Sequence, residues 1–346
     1  MQSLRGMNSY ERVMACIAGE KTDRPPVIPI VREWACKQAG INFFEAMNSV
    51  EKYVYAQYYC VRKFGYDAVF DLSGVHAESE AMGSVIRYRQ NLLPTVEEYA
   101  VKDYDKDLAK LKILNPNKDG RLPQILEGIS RLKELCDKEI PVVGYAQGPF
   151  RSCTMLRGID QWMRDIYKDK GNAKKLLEIA LDSQIVWGIA VAQAGADIIT
   201  IADPPSSGSV ISSKTFSEWS LPYLKKLCRT IKKTGVKTYL HICGDISDRL
   251  ELLASIGADI LQVDSKVDLA LARRTLGPDL VLMGNIDPTN PLTLGTPEEV
   301  YEQSKRAIET AGKEGRFFLS GGCMISEEVP ALNIEALIRA GYETAF

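Results

Sequence analysis

Ala194-Gly195-Ala196-Asp197-Ile198-Ile199-Thr200-Ile201-Ala202-Asp203 is the stretch that decides the fold. A glycine just past a helical run predicts a left-handed cap, and the apolar residues after it predict a short strand buried on both faces. An aspartate then stands where the strand ends. The same order recurs in residues 64–71 and 256–264, each again ending in aspartate. A repeated helix, glycine and strand predict a parallel sheet joined by helical crossovers.

The other strands are short apolar runs between predicted helices, and they raise the expected total to eight. Such a series without a linker predicts one (βα)8 TIM-type barrel, in the α/β class, over residues 1–346. A doubly wound sheet is the alternative, but it usually has fewer strands and no ring of aspartates. The expected strands are residues 27–30, 67–71, 141–145, 198–201, 236–240, 260–263, 280–283 and 316–319.

Helical spacing of apolar residues predicts the longer helices. The first of them, residues 9–19, precedes the first strand, so the barrel should carry an N-terminal helical extension capped by Ser9 and stopped by Gly19. Residues 91–121 are polar and are expected as a surface excursion. The remaining predicted helices are residues 43–64, 173–194, 213–233 and 297–311.

The composition is that of an ordinary soluble protein. With 43 basic and 45 acidic residues the net charge is only -2, so no attraction to nucleic acid is expected. The sequence has no N-terminal signal core and no run of 18 or more apolar residues, so we expect no membrane partner. The eight cysteines are scattered singly, which indicates a reducing, cytoplasmic location rather than a disulfide framework.

A metal site is predicted from Lys237-Thr238-Tyr239-Leu240-His241-Ile242-Cys243-Gly244. Side chains at i and i+2 of a strand point the same way, so His241 and Cys243 should present two soft ligands together. Cys323 follows a similar apolar run and supplies a third. Three such ligands suit a catalytic zinc with one open position, whereas a structural zinc normally takes four ligands in close-spaced pairs.

The carboxyl ends of barrel strands meet at one mouth, where active sites lie. Asp71, Asp203 and Asp264 should therefore lie there as substrate-binding candidates, together with the metal ligands. Asp203 or Asp264 could instead accept the second ring N–H of the metal-bound histidine, or serve only as a cap or loop residue.

Three residues after the second strand are further candidates for substrate binding. His76 could contact substrate, and Glu78 and Glu80 could line the mouth or give the zinc an additional ligand. The alternative is that these side chains belong to a solvated loop.

Several segments resemble the uroporphyrinogen decarboxylase superfamily, and in particular its zinc-dependent, corrinoid-linked methyltransferase branch. His241 and Cys243 with the distant Cys323 are similar to the zinc ligands of enzymes such as methylcorrinoid:coenzyme M methyltransferase. The resemblance covers almost the whole chain. Its other segments are residues 10–13 with 23–26, Ala202-Asp203-Pro204, Gly284-Asn285-Ile286-Asp287-Pro288 and Ser320-Gly321-Gly322-Cys323.

One departure from the family separates two activities. Decarboxylases of the superfamily carry an Arg-Gln-Ala-Gly-Arg run that holds substrate carboxylates, but here Arg32 is followed by Glu33-Trp34-Ala35-Cys36 and the second arginine is missing. Asp71 matches the decarboxylase aspartate that binds pyrrole N–H groups, so this residue does not decide between a decarboxylase and a methyltransferase. A cofactor-free, decarboxylase-like activity therefore stays an alternative.

The resemblance implies a zinc-dependent enzyme that moves a methyl group between a corrinoid protein and a small acceptor, preferably a thiol. In the opposite direction, an O-, N- or S-methyl compound would methylate a Co(I) corrinoid. A non-enzymatic tetrapyrrole carrier is a further alternative. Because no Asp-x-His-x-x-Gly cobalamin motif occurs, the corrinoid is expected on a partner protein.

Overall fold

Seven parallel strands form the main sheet of the computed structural model, which describes residues 6–72, 76–89, 92–313 and 315–344. A two-stranded antiparallel hairpin lies apart from that sheet. The strands are β1 (Val69–Phe70), β2 (Val85–Arg89), β3 (Leu92–Glu98), β4 (Val142–Gln147), β5 (Ile198–Ala202), β6 (Lys237–His241), β7 (Ile260–Gln262), β8 (Val281–Ile286) and β9 (Phe317–Gly321). Strands β2 and β3 form the hairpin, and the main sheet follows chain order.

The segment around Val27 closes the sheet into a barrel. Val27 pairs in parallel with Leu319 of β9, and the Ile28 N–H donates to the Leu319 carbonyl at 2.9 Å. On its other side, the Val27 carbonyl accepts from the Asp67 N–H at 2.8 Å, just before β1. The predicted (βα)8 barrel is thus confirmed, and the flanking prolines explain why the eighth segment is so short.

Apart from the first helix, the helices follow the strand segments of the barrel in chain order. They are α1 (Ser9–Ala18), α2 (Arg32–Gln38), α3 (Phe43–Met47), α4 (Val50–Phe64), α5 (Ala77–Ala81), α6 (Tyr104–Asp107), α7 (Leu122–Cys136), α8 (Pro149–Arg157), α9 (Ile159–Lys168), α10 (Lys170–Gln193), α11 (Ser213–Trp219), α12 (Leu221–Lys232), α13 (Leu250–Ala254), α14 (Leu269–Leu276), α15 (Pro297–Ala307) and α16 (Ala331–Glu343). Short 3₁₀ turns cover Leu108–Lys110, Pro204–Ser206 and Ser247–Arg249, and a π turn covers Ile308–Gly312.

Helix α1 is the predicted N-terminal extension. Its N-cap is Asn8 rather than Ser9, because the Asn8 side chain accepts from the Glu11 N–H while Glu11 bonds back to Asn8. Gly19 ends the helix in the left-handed conformation, as predicted. Val13, Cys16 and Ile17 of α1 join the apolar cluster inside the barrel, so this helix covers the bottom, at the amino-terminal ends of the strands.

Two of the predicted helices are divided. Residues 43–64 form α3 and α4, because Asn48 ends the first and Ser49 caps the second. Residues 213–233 form α11 and α12, with Pro222 in the first turn of α12, where its missing N–H costs no hydrogen bond. In the excursion predicted at 91–121, Asn91 lies outside the described residues, and the rest contains β3, α6 and a 3₁₀ turn.

The aspartates at the start of each repeated strand bind the neighbouring strand at the bottom of the barrel. Each accepts a backbone N–H and pairs with a cation, which satisfies a strand end that would otherwise lack a partner. The three contacts are Val27 N–H to Asp67 at 2.7 Å, Val142 N–H to Asp197 at 3.0 Å and Thr238 N–H to Asp259 at 2.8 Å. The cations are Arg24, Lys133 and Lys232.

Among the described residues, α10 is the only helix long and apolar enough to cross a membrane by length and composition. Half of its most apolar window is buried within the protein. Trp187 of this helix is fully buried and donates its indole N–H to the Tyr145 carbonyl of β4 at 2.9 Å. These contacts are those of a helix packed on the outside of a barrel.

Candidate metal centre at the mouth of the barrel

The three predicted ligands stand at the carboxyl ends of two strands. His241 is the last residue of β6, and Cys243 follows two positions later. Cys323 lies two residues beyond the end of β9. Their donor atoms all lie within 4.8 Å of one another. In the described part of the chain, this is the only His, Cys, Asp and Glu group arranged to hold a metal ion.

The distances in this cluster suit zinc. The Cys243 and Cys323 sulfur atoms are 3.7 Å apart, and the Cys323 sulfur is 3.8 Å from His241 Nε2. Two sulfur ligands of a tetrahedral zinc with Zn–S bonds of about 2.3 Å lie roughly 3.8 Å apart. The residues present therefore fit the ion in donor type, in number and in spacing.

Two glycines allow the ligand loops to approach each other. Gly244 has a φ of 87°, a conformation that favours glycine, and turns the chain directly after Cys243. A Cβ atom on Gly322 would lie 2.6 Å from the Ser265 nitrogen. The loop that carries Cys323 thus passes over Asp264 and Ser265 at a distance only glycine permits.

Asp264 fixes the turn that carries Cys243. Its carboxylate accepts the Gly244 N–H at 2.8 Å and the Lys266 N–H at 3.1 Å, and it lies 3.5 Å from the Cys243 sulfur. Burial opposes ionisation, yet these N–H groups lower the pKa of Asp264 below its usual range. The carboxylate therefore stays charged beside the metal ligands.

The two thiols lie close enough to shift each other's pKa. The contact with Cys323 raises the pKa of the Cys243 thiol, and the same contact lowers the pKa of Cys323. Zinc binds cysteine as thiolate, so a zinc ion at this site would favour loss of the proton from both thiols.

The Asp203 carboxylate lies at the start of α8. It accepts the Arg151 N–H at 2.7 Å and the Ser220 hydroxyl at 3.2 Å, and so caps the start of α8. Burial raises the pKa of Asp203 to about 6. Among the described residues, His241 Nδ1 has no hydrogen-bond partner, so neither predicted carboxylate accepts from it.

The substrate-binding candidates that follow β1 have different partners from one another. Arg32 donates to the Asp71 carboxylate at 3.2 Å, with both side chains buried. Gln147 donates to Glu78 through its backbone and its side-chain nitrogen, each at 3.2 Å. Burial raises the pKa of Glu78 to about 7. Glu78 is not part of the group of three metal donors.

His76 and Glu80 contact the hairpin. His76 Nε2 lies 2.8 Å from the Pro94 carbonyl, and the Tyr88 hydroxyl donates to Glu80 at 2.8 Å. Burial lowers the pKa of His76. Within the described residues these side chains hold β2 and β3 over the mouth, and neither joins the metal donors.

Arg151 is a mouth residue that the sequence analysis missed. Burial raises the pKa of Glu78 and of Asp203, and the contact with Cys243 lowers that of Cys323, but the Arg151 charge favours the ionised form of all three, so Arg151 lies near them. It lies in α8, directly after β4. The sequence does indicate this residue, because a cationic side chain soon after a barrel strand is expected at the mouth.

The sequence profile of the uroporphyrinogen decarboxylase (URO-D) family matches residues 8–344. The chain belongs to the uroporphyrinogen decarboxylase family. It is 30% identical over 332 residues to methylcobamide:CoM methyltransferase MtbA of Methanosarcina acetivorans, an alignment that covers 95% of this chain and 96% of the relative. A uroporphyrinogen decarboxylase of Syntrophotalea carbinolica is 27% identical over 350 residues, with 95% and 96% covered.

A solved structure extends the likeness to the fold. A methyltransferase from Methanosarcina mazei superposes with a TM-score of 0.88 at 26% identity, over 96% of this chain and 98% of that one. Members of the uroporphyrinogen decarboxylase family named for two different reactions are thus similar to this chain, and the site residues must distinguish them.

Proposed function

We propose that this protein is a zinc-dependent methyltransferase that moves a methyl group from a corrinoid protein to a small thiol. The observation that carries the proposal is the group of His241, Cys243 and Cys323, whose donor atoms lie within 4.8 Å at the barrel mouth. The 30% identity to a methylcobamide:CoM methyltransferase supports the same reaction class.

His241, Cys243 and Cys323 would hold the zinc ion and leave one position open to substrate. A zinc ion held there would supply Lewis acidity and would lower the pKa of a substrate thiol. Asp264 keeps the Cys243 turn in place through the Gly244 N–H. Asp203 accepts the Arg151 backbone N–H and so holds the start of α8 beside the site.

The proposed reaction transfers the methyl group from cobalt to sulfur. The thiol sulfur forms a bond to the methyl carbon while the cobalt–carbon bond breaks. The electron pair of that bond stays on cobalt, which changes from Co(III) to Co(I), and the thiol proton leaves to solvent. The corrinoid belongs to a partner protein in this proposal, because the chain has no Asp-x-His-x-x-Gly motif.

Two further proposals concern the chain as a whole. We take residues 1–346 as one domain, which the match of the family profile to residues 8–344 supports. We also place the protein in the cytoplasm, since all eight cysteines are free thiols and a reducing compartment preserves them.

Elemental analysis and a methylcobalamin assay test the proposed function. We expect about one zinc per chain and thiol-dependent loss of methylcobalamin. Methylation of Co(I) cobalamin by an O-, N- or S-methyl compound, without thiol turnover, would support the opposite direction. Carbon dioxide release from uroporphyrinogen by a zinc-free protein would reject the proposal in favour of a decarboxylase. The structure argues against decarboxylation. Arg32 is the one arginine kept from the decarboxylase run that holds substrate carboxylates, and here it pairs with Asp71.

A further inference from the structure

Gln262 is a fully buried amide inside the barrel. It is the last residue of β7 and pairs in register with His241, the last residue of β6. Ile260, two residues earlier on the same strand, belongs to the apolar cluster inside the barrel, so Gln262 also points inward. An amide next to such a cluster is costly unless its polar atoms are hydrogen-bonded.

The amide is hydrogen-bonded at both ends, and its partners come from the two strands that lead to the predicted metal ligands. The Tyr239 hydroxyl of β6 donates to Gln262 Oε1. Gln262 Nε2 donates to the carbonyl of Gly321, the last residue of β9, at 2.8 Å. A carbonyl only accepts hydrogen bonds, so the amide must direct its nitrogen to Gly321 and its oxygen to the hydroxyl.

These three groups form a bridge across the inside of the barrel, which we call the Gln262 bridge. Each end of it stands two residues before a predicted metal ligand, because Tyr239 precedes His241 and Gly321 precedes Cys323. Tyr239 and His241 share one face of β6. The bridge therefore links β6 to β9 directly below the three donors.

The bridge also fixes the peptide unit from which the chain turns toward Cys323. The Gly321 carbonyl and the Gly322 N–H belong to the same planar peptide group. Gln262 binds the carbonyl, and the carbonyl of Ile286 in β8 accepts the N–H at 2.8 Å. Because both polar atoms of this peptide are held, its plane cannot rotate freely, and the direction in which the chain leaves β9 depends on the amide.

We propose that Gln262 is a positioning residue of the metal centre, which holds the Cys323 turn at the correct distance from the His241 strand before the metal binds. An apolar side chain would fill the same space without the cost of burying an amide, so space filling alone does not require glutamine. Metal affinity depends on groups that orient the ligands from behind. The proposal rests on the metal site of the proposed function and not on the methyl transfer.

Gln262→Met tests the assignment, because methionine has nearly the length of glutamine but no group that can donate to the Gly321 carbonyl. We expect its zinc affinity, measured by competition with a chromogenic chelator, to fall at least about tenfold. The ligand-field spectrum of the Co(II)-substituted protein should also change, since that spectrum reports the coordination geometry. An affinity and a spectrum equal to those of the wild type would overturn the proposal.

Gln57→Met is the matched control, because Gln57 is also a fully buried amide. It accepts the Phe70 N–H at 3.2 Å, so it binds β1, a strand that carries no predicted metal ligand. This variant should lose stability but keep the wild-type zinc affinity and Co(II) spectrum. The same loss of affinity as in Gln262→Met would reject a specific role for Gln262, since it would follow from any destabilised barrel.

Tyr239→Phe is a second, milder variant, and it serves where Gln262→Met does not fold. It keeps the ring and removes only the hydroxyl that donates to Gln262 Oε1. We expect a smaller loss of zinc affinity and a change of the Co(II) spectrum in the same direction. Wild-type affinity and spectrum in this variant would count against the bridge.

Oxidation of the metal-free protein separates this proposal from the proposed function. Diamide takes two electrons and two protons from a pair of neighbouring thiols and leaves a disulfide, so the rate at which Cys243 and Cys323 become linked reports how closely the two sulfur atoms are held. Peptide mass mapping follows the reaction without zinc or a corrinoid. Slower linkage in Gln262→Met than in Gln57→Met supports the positioning role even in a protein that transfers no methyl group. Equal rates would reject that role even in an active zinc methyltransferase.

Discussion

The sulfur atoms of Cys243 and Cys323 lie 3.7 Å apart although 80 positions separate the two residues in the chain. Neither sulfur is fully buried, and His241 Nε2 completes the group at 3.8 Å from Cys323. Such proximity of two thiols without a disulfide is what a metal site requires.

Removal of either sulfur should abolish tight zinc binding. We expect Cys243→Ser and Cys323→Ser to weaken zinc affinity at least about hundredfold, because a hydroxyl is a poor replacement for a thiolate ligand. Competition with a chromogenic chelator measures the affinity. Cys228→Ser is the control, since the Cys228 sulfur lies 3.4 Å from the Thr238 hydroxyl and a serine there keeps a partner. Full zinc content in both site variants would contradict the assignment.

Gly322→Ala should damage the metal centre through sterics alone. The new methyl group would lie 2.6 Å from the Ser265 nitrogen, so the Cys323 loop must move away from β7. We expect zinc affinity to fall at least about tenfold, as for other losses of ligand orientation. Gly171→Ala is the control, because nothing lies within 4 Å of its added Cβ. Equal zinc affinities for the two variants would show that the loop adapts.

Asp259→Ala should destabilise the bottom of the barrel without emptying the site at the top. Asp259 accepts from the Thr238 N–H and hydroxyl and pairs with Lys232. Its loss should lower the free energy of unfolding by about 2 kcal/mol, the usual cost of unpaired buried donors. Denaturant titration measures this, with zinc content as the second readout. Asp279→Ala, whose side chain is 91% exposed, should change stability by under about 0.5 kcal/mol.

The contribution of Glu78 to the free energy of unfolding should fall as the pH rises from about 4.5 to about 7. Burial raises its pKa from 4.5 to about 7, so between these values the folded protein holds a proton that the unfolded chain has lost. The contribution of Glu78 to stability is therefore fully present below about pH 4.5 and is lost up to about pH 7, a change of about 3 kcal/mol for this group.

Glu78→Gln tests this dependence, because the amide does not titrate. The difference in unfolding free energy between variant and wild type should change across pH 5 to 7, while Asp203 contributes equally to both proteins. A difference that stays constant with pH would show that Glu78 keeps an ordinary pKa in the folded state.

Local sequence determined the strands and much of the site. The glycine caps and apolar runs predicted eight barrel segments because turn preference and strand burial depend on neighbouring residues. The helix boundaries were less accurate. Asn48, Ser49 and Pro222 end or begin helices through local hydrogen bonds that apolar spacing does not reveal.

Only the tertiary structure decided which groups meet. Asp203 and Asp264 end equivalent repeats, yet one caps α8 and the other holds the Cys243 turn. Arg151 of α8 lies near Glu78, Asp203 and Cys323, which come from three separate parts of the chain. These relationships depend on closure of the ring through Val27, because contacts between distant residues follow from the whole packed barrel and not from any local pattern.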